Sequence, residues 1–240
     1  MIIFLDIEHP KALEDAAYRA ERAETMARRA RIFQGLSGEP CVVRHFSEFR
    51  KDEALRAGVK ALVTSGNRSL WEDYDLESDF AEFKQLLLET RKPVLGICGG
   101  HQLIGLLLGG QAEPLRRLVE GEDDSHPQIA PGFFKEWGFY PVEFAPGERL
   151  FAGFEQPVAV KQMHFWHLTR LPDSFQVIAY NRNCPVQAMR LKERPVYGVQ
   201  FHPEFYDAGH PDGQRILENF FALPGAGGRA RKLHVEPTVA

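Results

Sequence analysis

Residues 93–110 read PVLGICGGHQLIGLLLGG, and this stretch decides the fold. Pro93 to Ile97 is a short apolar run rich in β-branched residues, which suits a buried strand. Gly100 to Leu108 reads as an apolar helix, and Gly109-Gly110 supplies its stop. Between them Gly96-Ile97-Cys98-Gly99-Gly100 has the G-x-nucleophile-x-G pattern of a strand-to-helix elbow. So sharp a turn strains the backbone of the central residue, and a Cβ two residues to either side would collide with its neighbours. A thiol at a helix N-terminus also feels the positive end of the helix dipole, which favours negative charge on sulfur. Taken alone, the pattern fits equally a small buried hydrophobe in a tight turn.

A second block shifts the balance. Tyr197-Gly198-Val199-Gln200-Phe201-His202-Pro203-Glu204 ends another apolar strand on a His and a Glu. Cys98 is then a candidate nucleophile, His202 a candidate base, and Glu204 a carboxylate to orient the imidazole.

PVLGICGGHQ and VYGVQFHPE, in this order and at this spacing, resemble the class I (triad) glutamine amidotransferases, with weaker likeness from Met1 to about Phe221. The resemblance implies an α/β domain over residues 1–223, with a mainly parallel, flavodoxin-like central sheet flanked by helices. An antiparallel strand section is expected in the second half. It implies a Cys98-His202-Glu204 triad that releases ammonia from L-glutamine through a γ-glutamyl thioester. The backbone N–H groups of Gly66 and Gly99 would form the oxyanion hole. Gln102 and the backbone around Met163 and His164 would line the substrate pocket. The family's usual Ser-Gly-Gly-Pro loop is here Ser65-Gly66-Asn67-Arg68, which keeps one glycine and adds an arginine assigned to the loop itself.

The chain has 240 residues, enough for one large α/β domain. It is 44% hydrophobic and 26% charged with a net charge of −4, which points neither to nucleic acid nor to a membrane surface. No apolar run approaches a membrane span, so a cytoplasmic location is expected. Cys41, Cys98 and Cys184 are few and far apart, which suggests neither a disulfide framework nor a zinc site.

In chain order, Met1 to Ile7 is a buried strand, with Asp6 near its end taken as a turn residue. Pro10 opens a helix to about Gly35. Leu13, Ala16, Ala17, Ala20, Ala23, Ala27 and Ala30 form its small-residue stripe, and its arginines and acids form a solvated face. Cys41 to Phe46 and Lys60 to Thr64 are further strands, joined by a helix over Glu48 to Ala57; this alternation implies right-handed crossovers and a parallel sheet. Ligands in such sheets bind beyond the carboxyl ends of strands, where Cys98 and the 64–69 loop lie. Leu76 to Arg91 is read as one amphipathic helix, and the segment from Gly110 to Val119 as a strand. From Glu136 short strands follow at Trp137–Phe144, Pro157–Met163, Phe175–Tyr180, Val186–Leu191 and Pro195–Phe201. A last helix starts near Pro211. The acidic turn Glu120–Asp124 is a solvated loop, and His164-Phe165-Trp166-His167 is aromatic packing rather than a metal site. Residues 224–240 are read as a mobile tail.

No P-loop or other nucleotide signature occurs, and no cofactor or metal is called for. The expected partners are L-glutamine or another γ-glutamyl substrate and a separate synthetase subunit. The chain looks similar to the glutaminase part of GMP synthase, but His164-Phe165-Trp166 replaces the usual His-Gly-Asp. A γ-glutamyl amide or peptide hydrolase with the same triad is the alternative, and a non-catalytic binding protein of the same fold the remaining one.

Overall fold

The structure is a computed structural model that describes residues 1–155 and 157–224. Its strands are β1 (Ile2–Asp6), β2 (Cys41–His45), β3 (Ala61–Thr64), β4 (Val94–Ile97), β5 (Gln111–Pro114), β6 (Glu136–Phe144), β7 (Val158–His164), β8 (Trp166–Arg170), β9 (Phe175–Tyr180), β10 (Ala188–Leu191) and β11 (Val196–Val199). Its helices are α1 (Ala16–Ser37), α2 (Lys51–Leu55), α3 (Leu76–Asp79), α4 (Ala81–Glu89), α5 (Gly99–Leu107) and α6 (Asp212–Phe221).

Nine strands form one sheet in the order β2-β1-β3-β4-β11-β10-β9-β6-β7. The first five are parallel, and from β11 onward every pairing is antiparallel. The expected parallel sheet and its antiparallel second half are both present. Strands β1, β3, β4 and β11 are buried along their whole length, because helices cover both faces. Alternate residues of β1 feed two cores: Ile2 and Phe4 face α1 and α6, while Ile3 and Leu5 face α2, α4 and α5. The order β3-β4-β11 puts the C-terminal ends of these strands side by side. Cys98, the 64–69 loop and His202 therefore converge at one edge.

Helix α1 departs from the sequence reading at both levels. It starts at Ala16, not Pro10, because Asp15 caps it by accepting the N–H groups of Ala17 and Tyr18 at 2.9 and 3.2 Å. Residues 12–14 form a separate 3₁₀ turn. The alanine stripe faces outward: Ala16, Ala17, Ala20, Ala23 and Ala27 are exposed, and of that set only Ala30 is buried. The inward face is Arg22, Met26, Arg29, Ala30 and Phe33. Two arginines read as a solvated face thus point into the protein, where carboxylates meet them.

The Leu76–Arg91 helix is broken at Phe80 into α3 and α4, and the 48–57 helix shortens to α2. Strand β8 begins within the His164–His167 segment read as aromatic packing and runs on to Arg170; it pairs with β5 in a small second sheet. Leu168 of β8 packs onto α5 at Gly105, where a Cβ would come within 2.6 Å of it. Past Pro224 the tail lies outside the described residues. Among the described residues no helix is long and apolar enough to cross a membrane.

Phe33 joins α1 to both its neighbours: it is fully buried, 4.9 Å edge-on from Phe4 of β1 and 6.0 Å from Phe221 of α6. Truncating a buried aromatic removes this contact and leaves a cavity, so Phe33→Ala should cost about 3–5 kcal/mol in chemical denaturation. A loss below about 1 kcal/mol would contradict this packing.

Candidate active site

Strand β4 delivers the chain to Cys98, whose backbone adopts φ 53° and ψ −108°. A non-glycine residue held there carries strain of order 1–3 kcal/mol and persists only where its surroundings enforce it. The Cys98 N–H donates to the Val199 carbonyl at 2.8 Å, which ties the turn to β11. A Cβ on Gly96 would lie 2.5 Å from the Gly100 carbonyl oxygen, and one on Gly100 would lie 2.9 Å from the Ser65 carbonyl. The collision expected two residues either side of Cys98 is therefore real on both sides. Gly99 has no room either, since its Cβ would overlap the Asn67 side chain. As the first residue of α5, Gly99 has an N–H without an intrahelical acceptor.

His202 follows β11 closely and is fixed by its N–H, which donates to the Lys161 carbonyl of β7 at 2.8 Å. Its ring Nδ1 lies 2.9 Å from Glu204 Oε1. Gly66 packs between the two reactive groups: a Cβ there would be 3.3 Å from Cys98 Cβ and 3.5 Å from His202 Cε1. Behind Glu204 comes Arg29 of α1, buried, with Nε 3.3 Å from Glu204 Oε1 and its guanidinium 5.1 Å from the Phe205 ring centroid.

These charges set the protonation of the pair. Burial pushes the Glu204 carboxyl upward, but Arg29 and then His202 outweigh it and hold the group down at about 2. Burial likewise acts to lower His202, yet the Glu204 carboxylate and the Cys98 sulfur raise it to about 9. At neutral pH the ring is an imidazolium between the Glu204 carboxylate and the Cys98 sulfur, an arrangement suited to donating a proton. Burial pushes the Cys41 thiol up to about 12 and raises that of Cys184 as well.

Cys98, Gly99, Gln102, Met163 and His164 line one narrow cavity of about 70 Å³, joined by Arg68, Trp71 and Trp166. Gly66, His202 and Glu204 stand behind Cys98. All the residues picked from the sequence thus come together at the strand ends, though Gln102 has an additional task. Its amide accepts from Trp71 Nε1 at 2.9 Å and donates to the Trp166 carbonyl and to Gln200 Oε1, each at 3.0 Å. Gln200 in turn places its Nε2 3.7 Å from the Cys98 sulfur. His164 is held by Glu136 at Nε2 (3.0 Å) and by the Trp166 carbonyl at Nδ1 (2.9 Å). Both of its nitrogens are occupied within the wall. Glu136 is itself bound by Asn181, Asn183 and Gln187. Arg68 stacks over the Tyr18 ring at 4.9 Å while lining the cavity. Among the described residues no group of three or more His, Cys, Asp or Glu could hold a metal ion.

Sequence reasoning missed Arg29, Trp71, Glu136 and Gln200. Only Arg29 left a trace, since Arg22, Met26, Arg29 and Phe33 recur at helical spacing on one face.

The sheet, the elbow at its edge and the Cys-His-Glu convergence define an α/β enzyme of nucleophile-elbow type. The chain belongs to the class-I glutamine amidotransferase family, whose model matches residues 32–223. It is a glutamine-hydrolysing enzyme by that membership. It is 32% identical over 174 residues to the glutamine-hydrolysing GMP synthase component of Pyrococcus furiosus, covering 72% of this chain and 80% of that protein. The counterpart of Methanosphaera stadtmanae is 28% identical over 191 residues, covering 80% and 88%. A solved glutamine amidotransferase of Thermotoga maritima superposes with a TM-score of 0.61 at 15% identity, covering 92% and 96%, which establishes the shared fold.

The raised His202 has a consequence for stability. Its charged form is favoured in the folded state, so its contribution is complete below its ordinary value of 6.5 and is lost as pH rises through about 9. Glu204, lowered from 4.5, contributes above 4.5 and loses that contribution as pH falls through about 2. The stability gap between the wild type and His202→Gln, measured by urea unfolding, should therefore shrink as pH is raised from 6.5 to 9. A gap independent of pH across this window would contradict the imidazolium assignment.

Proposed function

We propose that the chain hydrolyses L-glutamine through a covalent Cys98 intermediate and supplies the ammonia to a separate synthetase. The observation that supports this most is the placement of Cys98 on a strained elbow beside a His202 ring held 2.9 Å from Glu204. Cys98 attacks the carboxamide carbon of glutamine as its thiolate, an S–C bond forms, and the carbonyl π pair moves to oxygen to give an oxyanion. N–H groups at Gly99 and in the Gly66 loop stabilise that charge. His202 gives its proton to the departing nitrogen; the C–N bond breaks, ammonia leaves, and a γ-glutamyl thioester remains. His202, now neutral, takes a proton from water as the water attacks the thioester. Glutamate is released and Cys98 is restored. Glu204 keeps the ring oriented and compensates its charge, with Arg29 behind it. Gln102, Met163 and His164 form the pocket for the rest of the substrate.

The acceptor of the ammonia would belong to a partner chain. The named relatives point to a GMP-forming synthetase, while the bulky Phe165-Trp166 pair at the cavity points to a different fit. Trp71, Phe165 and Trp166 also give the cavity an apolar side, which would suit a γ-glutamyl amide or peptide with an apolar leaving group.

Both readings are tested by incubating the purified chain with glutamine and a panel of γ-glutamyl amides and peptides, following glutamate and ammonia. Glutamate and ammonia from glutamine support the amidotransferase; turnover of a γ-glutamyl peptide with glutamine ignored supports the hydrolase. Cys98→Ala should abolish the reaction. His202→Ala should lower the rate by roughly a thousandfold or more, and Glu204→Gln by less, since the carboxylate acts only through the ring. Near-full turnover by His202→Ala would refute the triad assignment.

A further inference from the structure

The reaction leaves unexplained a knot of buried charge at the end of β1. Asp6 and Glu8 are buried there, and Arg22 of α1 reaches between them. Arg22 Nη2 lies 2.5 Å from Asp6 Oδ1, 2.8 Å from Ser65 Oγ and 2.8 Å from the Gly66 carbonyl oxygen, while Nη1 lies 3.7 Å from Glu8 Oε2. Glu8 accepts from the N–H of Arg68 at 2.9 Å, the N–H of Ser69 at 3.1 Å and the Ser69 hydroxyl at 2.7 Å. The Tyr18 hydroxyl donates to the same carboxylate. Every one of these contacts to residues 65–69 ends on the loop that passes behind Cys98.

We propose that Arg22, braced by Asp6 and Glu8, is a positioning residue that fixes the 65–69 loop so that the Asn67 N–H, rather than that of Gly66, faces the oxyanion. A trans peptide points its N–H opposite its carbonyl. Arg22 draws the Gly66 carbonyl toward α1, so the N–H of Asn67 points to the other side. There the Asn67 nitrogen stands 3.0 Å from the position a Cβ on Gly99 would take, beside the elbow. Turning that peptide would cost the Arg22 bond and leave a buried guanidinium short of an acceptor. Glu8 fixes the far end of the loop. It is ionised: burial acts against its charge, but the Tyr18 hydroxyl and the Arg22 guanidinium hold its carboxyl below the ordinary range. The loop is thereby held from within the chain itself, by Arg22 at one end and Glu8 at the other.

This inference rests on the glutamine-hydrolysing reading for its kinetic test, and a second measurement stands apart from activity. Arg22→Lys keeps a positive charge beside Asp6, but the lysine side chain ends one bond short of Nη2, the atom that reaches Ser65 and Gly66. Its kcat on glutamine should fall about a hundred- to a thousandfold, as for loss of one oxyanion donor, with KM changed by no more than about threefold. A folded Arg22→Lys protein with wild-type kcat, or one in which only KM rises, would overturn the proposal. Hydrogen exchange of the wild-type backbone reads the clamp directly. The Arg68 and Ser69 amides should be protected, and about tenfold or more faster in any soluble Arg22→Lys protein. Unprotected amides in the wild type would overturn the clamp even if that variant does not fold. A wild type that ignores glutamine but protects these amides would remove the proposed function and leave the loop clamp standing.

Discussion

Cys98 can occupy its strained backbone only because three glycines surround it and two strands hold it. The constraint runs outward from there. Gly96, Gly99 and Gly100 are required by contacts of a Cβ with Gly100, Asn67 and Ser65, so the helix must pack within backbone distance of the 64–69 loop. That closeness requires β3, β4 and β11 to be adjacent and parallel, with the Cys98 N–H paired to Val199. Adjacent strand ends then bring His202 next to the thiol. One tight turn thus couples the sheet order to the chemistry.

A site built this way collects buried charge, and buried charge is tolerated only when paired. Helix α1 meets this need. From one face it sends Arg22 to Asp6 and Arg29 to Glu204, two turns apart, with Met26 and Phe33 sealing the core in register with them. Removing Arg22 would leave Asp6 without its cation, which costs several kcal/mol for a buried pair, while removing Arg29 would leave Glu204 with His202 alone. The helix is therefore a structural layer and an electrostatic support at once. The Glu136–His164 pair plays the same part on the opposite wall, where it holds the 163–166 segment against Gln102.

What can be read from the sequence follows the range of the interactions involved. The elbow and the 197–204 block are legible because glycines, an apolar run and a His-x-Glu spacing are local signals. So are β9, whose bounds agree at both ends, and the antiparallel second half. Helix α1 reads wrongly because composition favours alanine inside and arginine outside. That preference is reversed here by carboxylates at the ends of β1 and β11 that lie 16 residues or more away in the chain. Strand β8 escapes notice because a single buried residue, Leu168, carries its packing, which leaves no alternation to detect. Trp71, Gln200 and Glu136 matter only through partners brought together by the fold, so nothing near them in sequence marks them.

The central claim is that Cys98, and neither of the other two thiols, carries the substrate's acyl group. The direct measurement is mass spectrometry of the protein mixed with excess glutamine and quenched in acid during turnover, followed by peptide mapping. The account predicts a glutamyl adduct on the peptide containing Cys98 and none on those of Cys41 or Cys184, whose thiols burial keeps protonated. Steady release of glutamate with no adduct on Cys98, or with the adduct on another cysteine, would contradict it.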